Sequence, residues 1–204
     1  MKSLTLDVSD PKSIPSVAAQ VTKDYPSLNV LINDAGIMRP EDLGAQPNDL
    51  SEAEKTVATN LLGPIRLTTS LLPLLQKQLR AAVMNVSSGL AFVPLAMTPT
   101  YCATKAAIHS YTQSLRYQLK STKVVIIELI PPYVATTLMG EEQASDSKAM
   151  PLDGFIAEVM EILKTQPDAK EVCVKKVYPL RFAAEGGQEK YEQFFHQFND
   201  TMHR

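Results

Sequence analysis

Tyr101 and Lys105 stand four residues apart in the run Thr100-Tyr101-Cys102-Ala103-Thr104-Lys105. On a helix that spacing puts both side chains on one face, about one turn apart. An ammonium beside a phenol favours the phenolate. It lowers a pKa of about 10 toward the range in which a phenol works as acid and base. A helix with a half-buried Tyr and a solvated Lys gives the same spacing, so the pair alone does not decide. Ser88 lies thirteen residues before Tyr101, Asn60 precedes a Gly-Pro step, and Asn33-Asp34-Ala35-Gly36 and Pro131-Pro132-Tyr133-Val134-Ala135-Thr136 each follow an apolar run.

The elements that position these residues alternate. Ser3 to Val8 alternates polar and apolar side chains and reads as a short strand. Ser9, Asp10 and Pro11 read as a helix start, with Ile14, Val17, Ala18 and Val21 on one face. Leu28 to Asn33 reads as a buried parallel strand, followed by a loop through Met38, Gly44 and Pro47. A helical pattern runs from about Leu50 to Leu79. Pro64 lacks an amide donor and clashes with the Asn60 carbonyl, which predicts a kink at Asn60 or a joint between two helices.

Ala81 to Val86 is a third strand ending at Ser87-Ser88-Gly89, and the Tyr101 helix runs to about Lys120. Val124 to Ile130 is the strongest strand signal, stopped by Pro131-Pro132. Glu141 to Ala149 is polar and reads as a mobile segment. Pro151 to Gln166 reads as an amphipathic helix, Glu171 to Val174 as a last strand, and Gln188 to Asn199 as a helix whose aromatics serve packing. Five strand and helix alternations imply an α/β doubly wound parallel sheet with ligands at the carboxyl ends of its strands. Asp7, Asn33, Ser88 and the Pro131 loop all fall at such ends.

Composition narrows the function classes. The chain has 204 residues, 45% hydrophobic and 21% charged, with a net charge of −2. That argues against nucleic acid or an anionic membrane as partner. Two cysteines and three dispersed histidines, His109, His196 and His203, offer no disulfide framework and no metal-ligand spacing. Met1-Lys2-Ser3 leads straight into a strand-like segment, so no signal peptide and a cytoplasmic location are expected.

The ordered set of motifs, from Asp7 to about Thr137, resembles the short-chain dehydrogenase/reductase family, and most of all a branch of uncharacterised bacterial and fungal oxidoreductases. Family motifs read Asn-Asn-Ala-Gly, an Asn in the long helix, Ser, Tyr-x-x-x-Lys and Pro-Gly-x-Val-x-Thr. The resemblance implies interconversion of a carbonyl and an alcohol with NADP or NAD. It gives Tyr101 the proton at the substrate oxygen, and Lys105 the tasks of lowering the Tyr101 pKa and binding the nicotinamide ribose. Ser88 then holds the substrate oxygen, Ser87 supports the turn, and Asn60 supports a water chain from Lys105. Asp7 and Val8 are expected at the adenine, Asn33, Ala35 and Gly36 at the adenosine ribose, and Pro131, Val134 and Thr136 on the cofactor, with Thr136 at the carboxamide. A homo-oligomer through helices 50–79 and 101–120 is implied as well.

Three departures accompany the resemblance. Asp34 replaces the second Asn and loses its amide donors. Pro132 replaces Gly and supplies no amide. The family's opening strand, glycine-rich turn and helix, with a second strand and helix, have no counterpart in these 204 residues. The expectation is a single Rossmann-like domain over 1–204 whose doubly wound sheet lacks its first two strand–helix units. The Leu4 to Asp7 strand is then orphaned or slides beside the next one, and an apolar sheet face is exposed, leaving the isolated chain marginal. A glycine-rich turn normally seats the diphosphate on a helix amino terminus. The alternative function is therefore a catalytically inactive remnant or interaction protein. A helix-rich binding module with a chance Tyr-x-x-x-Lys ranks below both. Met139, Met150 and Leu152 point to a partly apolar substrate, and family breadth extends this to lipid-like carbonyls or secondary metabolism.

Overall fold

The structure is a computed structural model that describes residues 2–45 and 49–202. Met1, Pro47 and His203 lie outside the described residues. Four parallel strands form one sheet in the order β1-β2-β3-β4: Val30–Asn33, Ala81–Val86, Val124–Ile130 and Glu171–Cys173. Helices α1 (Ser13–Asp24), α2 (Ser51–Val57), α3 (Gly63–Leu75), α4 (Pro99–Gln118), α5 (Glu141–Ser145), α6 (Leu152–Thr165), α7 (Tyr178–Arg181) and α8 (Gln188–Met202) surround or follow it. The alternation read from sequence thus gives a Rossmann-like α/β sheet flanked by helices.

One face of the sheet packs against α1, α3 and α4. Leu31, Val83 and Ile126 meet Ala18, Leu71, Leu75 and Leu115 there. On the other face Met84, Ile127, Leu129 and Val172 pack against Phe155 and Val159 of α6. That second layer stops short of β1. Val30, Ile32 and Val125 share this face and are 49%, 54% and 50% exposed.

Three expectations need correction. Ser3 to Val8 is not a strand. A lone extended segment has no ladder to satisfy its amides, and instead Val8 packs against Gly63, where a Cβ would come within 2.9 Å of the Val8 carbonyl oxygen. The first helix starts at Ser13 rather than Asp10, because Asp10 closes a turn, accepting from the Ser13 amide through its carbonyl and from the Lys12 amide through its carboxylate. Glu141 to Ala149 is not a loose stretch. Its first part, Glu141–Ser145, forms α5, held by the buried Gln143, which donates to the Val134 carbonyl at 2.8 Å and accepts from the Met139 amide at 2.9 Å.

The kink at Asn60 takes the form of a π-helical turn, Ala58–Leu62, between α2 and α3. Pro64 lies at the start of α3 and cannot donate to the preceding turn. The wider turn is the local answer to that missing bond, and such turns recur at functional sites.

Candidate functional site

The carboxyl ends of β1, β2 and β3 open into one cavity of about 600 Å³. Ala35, Gly36, Ser88, Tyr101, Lys105, Pro131, Val134 and Thr136 all line it. Eight of the residues singled out from sequence therefore meet at one place.

Each is held by a separate element. Tyr101 and Lys105 project from the amino-terminal half of α4, 5% exposed each, and both are buried against the ends of the strands. Lys105 Nζ donates to the Val86 carbonyl at 2.8 Å and lies 5.5 Å from the centre of the Tyr101 ring. Ser88 follows β2, and its Oγ accepts from the Leu90 amide at 3.1 Å, which leaves its proton free to donate. The Gly89 amide donates to the Pro131 carbonyl at 2.9 Å and ties this turn to the loop after β3. That loop is pinned in turn by the pairing of Val134 with Met150.

Asn60 is 2% exposed. Its Oδ1 accepts from the Ile37 amide at 2.9 Å, and its Nδ2 donates to the Ile37 carbonyl at 2.8 Å and to Thr104 Oγ1 at 3.3 Å. The π-helical turn thereby fastens the loop after β1 to α4 just behind Lys105. A Cβ on Gly36 would stand 3.5 Å from Asn60 Oδ1 and 3.8 Å from Lys105 Nζ, in the space in front of the ammonium. Any side chain there would screen the cation from the cavity.

The electrostatics differ from the sequence expectation. Burial pushes the Tyr101 phenol up to about 12, opposed by the neighbouring Ser88 hydroxyl. Burial likewise pushes Lys105 down to about 8, opposed by Asp34 at the cavity edge. The amine gives up its proton long before the phenol does. Tyr101 then ionises beside a neutral amine, so the expected lowering of its pKa by Lys105 does not occur in this state. At neutral pH the site holds a protonated phenol beside a charged ammonium.

Asp7, Val8 and Asn33 do not line this cavity. Asp7 is exposed, and the Ser9 hydroxyl and amide hold its carboxyl below the usual range. Asn33 lies beneath the floor, donating to Asn85 Oδ1 at 2.7 Å and Thr68 Oγ1 at 3.0 Å.

Sequence reasoning missed a second group beside the site. Glu128, fully buried on β3, accepts from Ser87 Oγ at 2.6 Å and faces His109 Nδ1 at 2.8 Å. Arg181 grips Glu171 at 2.7 and 3.1 Å close by. The only signal for it was one acid inside an otherwise apolar strand. Ser87 spends its hydroxyl here, while Ser88 faces the cavity. His109, Glu128 and Glu171 approach one another in space despite their distance in sequence, but these partners already occupy their ligand atoms.

A family model described as short chain dehydrogenase matches residues 1–147. The chain belongs to the short-chain dehydrogenase family. By membership it is a nicotinamide-dependent oxidoreductase in kind. It is 37% identical over 196 residues to an uncharacterized oxidoreductase, DltE, of Bacillus subtilis, covering 95% of this chain and 76% of that protein. It is 31% identical over 185 residues to an NADP-dependent 3-hydroxy acid dehydrogenase of Schizosaccharomyces pombe, covering 86% of this chain and 71% of that protein. Its fold matches a short-chain dehydrogenase of Streptomyces avermitilis with a TM-score of 0.78 at 20% identity, covering 98% of this chain and 81% of the other. Among the described residues no helix is long and apolar enough to cross a membrane.

Proposed function

We propose that this chain interconverts a carbonyl and an alcohol, with Tyr101 as general acid and base and NADP or NAD as hydride carrier. The observation that carries the reading is the convergence of two hydroxyls and one ammonium on a single cavity at the carboxyl ends of β2 and β3. The names of the two relatives above support it.

The residues present fit the nicotinamide end of such a cofactor. The space in front of Lys105 Nζ is kept open by Gly36, and Val134 and Thr136 line the same wall. When bound, the cofactor supplies or accepts a hydride at the substrate carbon. Everything else falls to the protein. Ser88 donates a hydrogen bond to the substrate oxygen, and Tyr101 gives that oxygen its proton as negative charge develops. A phenol that keeps its proton to about 12 is in the right state to donate at neutral pH. The Lys105 ammonium then stabilises the phenolate left behind, and Asn60 holds the π-helical turn and the Ile37 loop that shape the pocket around it.

The test is titration with NADH and NADPH followed by turnover of simple ketones. Binding that survives Tyr101→Phe, with turnover lost, supports the reading. A second reading, a non-enzymatic interaction protein, is favoured by the uncovered apolar face of β1. It gains if neither cofactor binds at micromolar to millimolar concentration. The homo-oligomer through helices 50–79 and 101–120 belongs to the proposal too, supported by the exposure of Leu62 and Tyr117, and sedimentation equilibrium decides it.

A further inference from the structure

A second cavity of about 230 Å³ lies on the far side of Ser88 and Tyr101 and shares both residues with the larger one. Its wall is apolar, built from Met38, Leu95, Leu138, Met139, Phe198 and Met202 among others. Phe198 and Met202 come from α8, about 100 residues further along the chain than Tyr101.

Their position is not left to apolar contact alone. Asn199, 7% exposed, accepts from the Ala96 amide at 2.6 Å and donates to the Pro94 carbonyl at 3.1 Å. This clamp presses one face of α8 onto the loop that precedes α4. Phe198 and Met202 then pack against the cluster that contains Tyr101 itself.

Most polar side chains on the wall are committed elsewhere. Gln143 spends its amide on Val134, Thr136 and Met139. The Tyr133 hydroxyl donates to Asp146 at 3.1 Å. Lys148, the one charged lining residue among those described, is exposed to solvent. Apart from the solvent-facing Lys148 ammonium, the Ser88 and Tyr101 hydroxyls remain to meet a ligand. A polar group placed deeper in the cavity would lose its water partners and find few in exchange, which disfavours it.

We infer that the substrate is a ketone or aldehyde, or the matching secondary or primary alcohol, carrying one compact apolar group that fills this second cavity. Phe198 and Met202 set the size limit, and Asn199 is a positioning residue that holds them. The inference rests on the carbonyl–alcohol reading above. Volume sets the scale: an apolar cavity of about 150 Å³ takes up benzene, so this one takes a ring with a few further carbons. An aryl or cycloalkyl ketone fits, whereas a fused bicyclic ring overfills it.

Two readouts test this, one of them independent of turnover. The ¹³C-methyl resonances of Met139 and Met202 shift when ethylbenzene is added without cofactor, and hydroxyacetone leaves them in place. In turnover with NADPH or NADH, acetophenone exceeds acetone in kcat/KM by about 100-fold, and acetylnaphthalene falls below acetophenone by about 10-fold or more. Phe198→Ala reverses that second preference. Asn199→Ala flattens the whole size profile, raising KM for acetophenone more than it lowers kcat. Ketone turnover with a flat size profile and unmoved methionine methyls overturns the inference and leaves the carbonyl reading standing. Shifted methyls with no ketone turned over by either cofactor overturn the carbonyl reading, and the substrate class with it.

Discussion

The Lys105 ammonium donates to the Val86 carbonyl at 2.8 Å, so the cation facing Tyr101 is tethered to the end of β2 and not to the phenol. Fixed there, it sits in apolar surroundings that lower its pKa from 10.5 to about 8.

That tether makes a stability prediction. In the unfolded chain the amine keeps its proton to about pH 10.4. Between about pH 8 and 10.5 the unfolded chain therefore binds more protons, and stability rises with pH across that window. Below about pH 8 both states are protonated, and the penalty of burying the charge is fully present at roughly 3 kcal/mol. Lys105→Met removes that penalty but leaves the Val86 carbonyl unpaired, which takes back about 1 kcal/mol. The variant should be inactive yet more stable than the parent by about 1–2 kcal/mol near neutral pH, with the advantage gone by about pH 10.5. Urea denaturation across that range measures it, and a variant less stable at neutral pH would refute the burial assigned to Lys105.

Activity should follow Lys105 as well. Tyr101 keeps its proton to about 12, so proton supply does not limit reduction at ordinary pH. The ammonium that receives the new phenolate is lost from about pH 8. In a pH profile of kcat for reduction, the rate is level at neutral pH and falls about tenfold per unit above pH 8. Tyr101→Phe lowers kcat by about 10²–10⁴ throughout. A descending limb that begins only above pH 10 would assign control to the phenol instead.

The site was legible in sequence where local spacing carries it. Tyr101 and Lys105 share a helix face four residues apart, and Ser88, Ala35 and Pro131 each follow a run that must be a strand. The kink at Asn60 was legible from Pro64, though not its π form, which depends on how Asn60 bonds the Ile37 loop. Asp7 and Val8 read as strand because their pattern alternates. A strand forms only where a neighbour supplies the ladder, and among the described residues none does. The lowered Tyr101 pKa failed because spacing gives proximity without burial. Phe198 was read only as a packing aromatic and Met202 went unnoticed, because nothing local links α8 to a cavity about 100 residues away; Glu128 was missed because one acid does not change the period of a strand.

The Glu128 group makes an ordering of stabilities. Glu128 is fully buried with Ser87 Oγ at 2.6 Å and His109 Nδ1 at 2.8 Å. His109→Leu removes the ring that faces both carboxylate oxygens and leaves the acid short of donors, which should destabilise by about 3–5 kcal/mol. Ser87→Ala removes one hydrogen bond and should cost about 1 kcal/mol. Chemical denaturation of the two variants side by side reads the order. Equal losses would mean that His109 does not support the buried carboxylate.

The uncovered end of the sheet yields the last expectation. Val30 and Ile32 on β1 and Val125 on β3 point to the same face, each about half exposed, and the outer edge of β1 pairs with no strand among the described residues. An exposed apolar face beside an open strand edge favours association between chains. Ile32→Thr keeps the branching that suits a strand and adds a hydroxyl facing water. On a surface position the substitution should change folding stability by about 0.5 kcal/mol or less. Light scattering during thermal ramps should show aggregation of the parent setting in at a lower protein concentration than that of the variant. Since Leu31 and Asn33 face the opposite, buried side of the same strand, Leu31→Thr should instead unfold the protein at lower urea by about 2–4 kcal/mol. Similar effects at positions 31 and 32 would contradict the face assignment of β1, and with it the register that places Asn33 beneath the site.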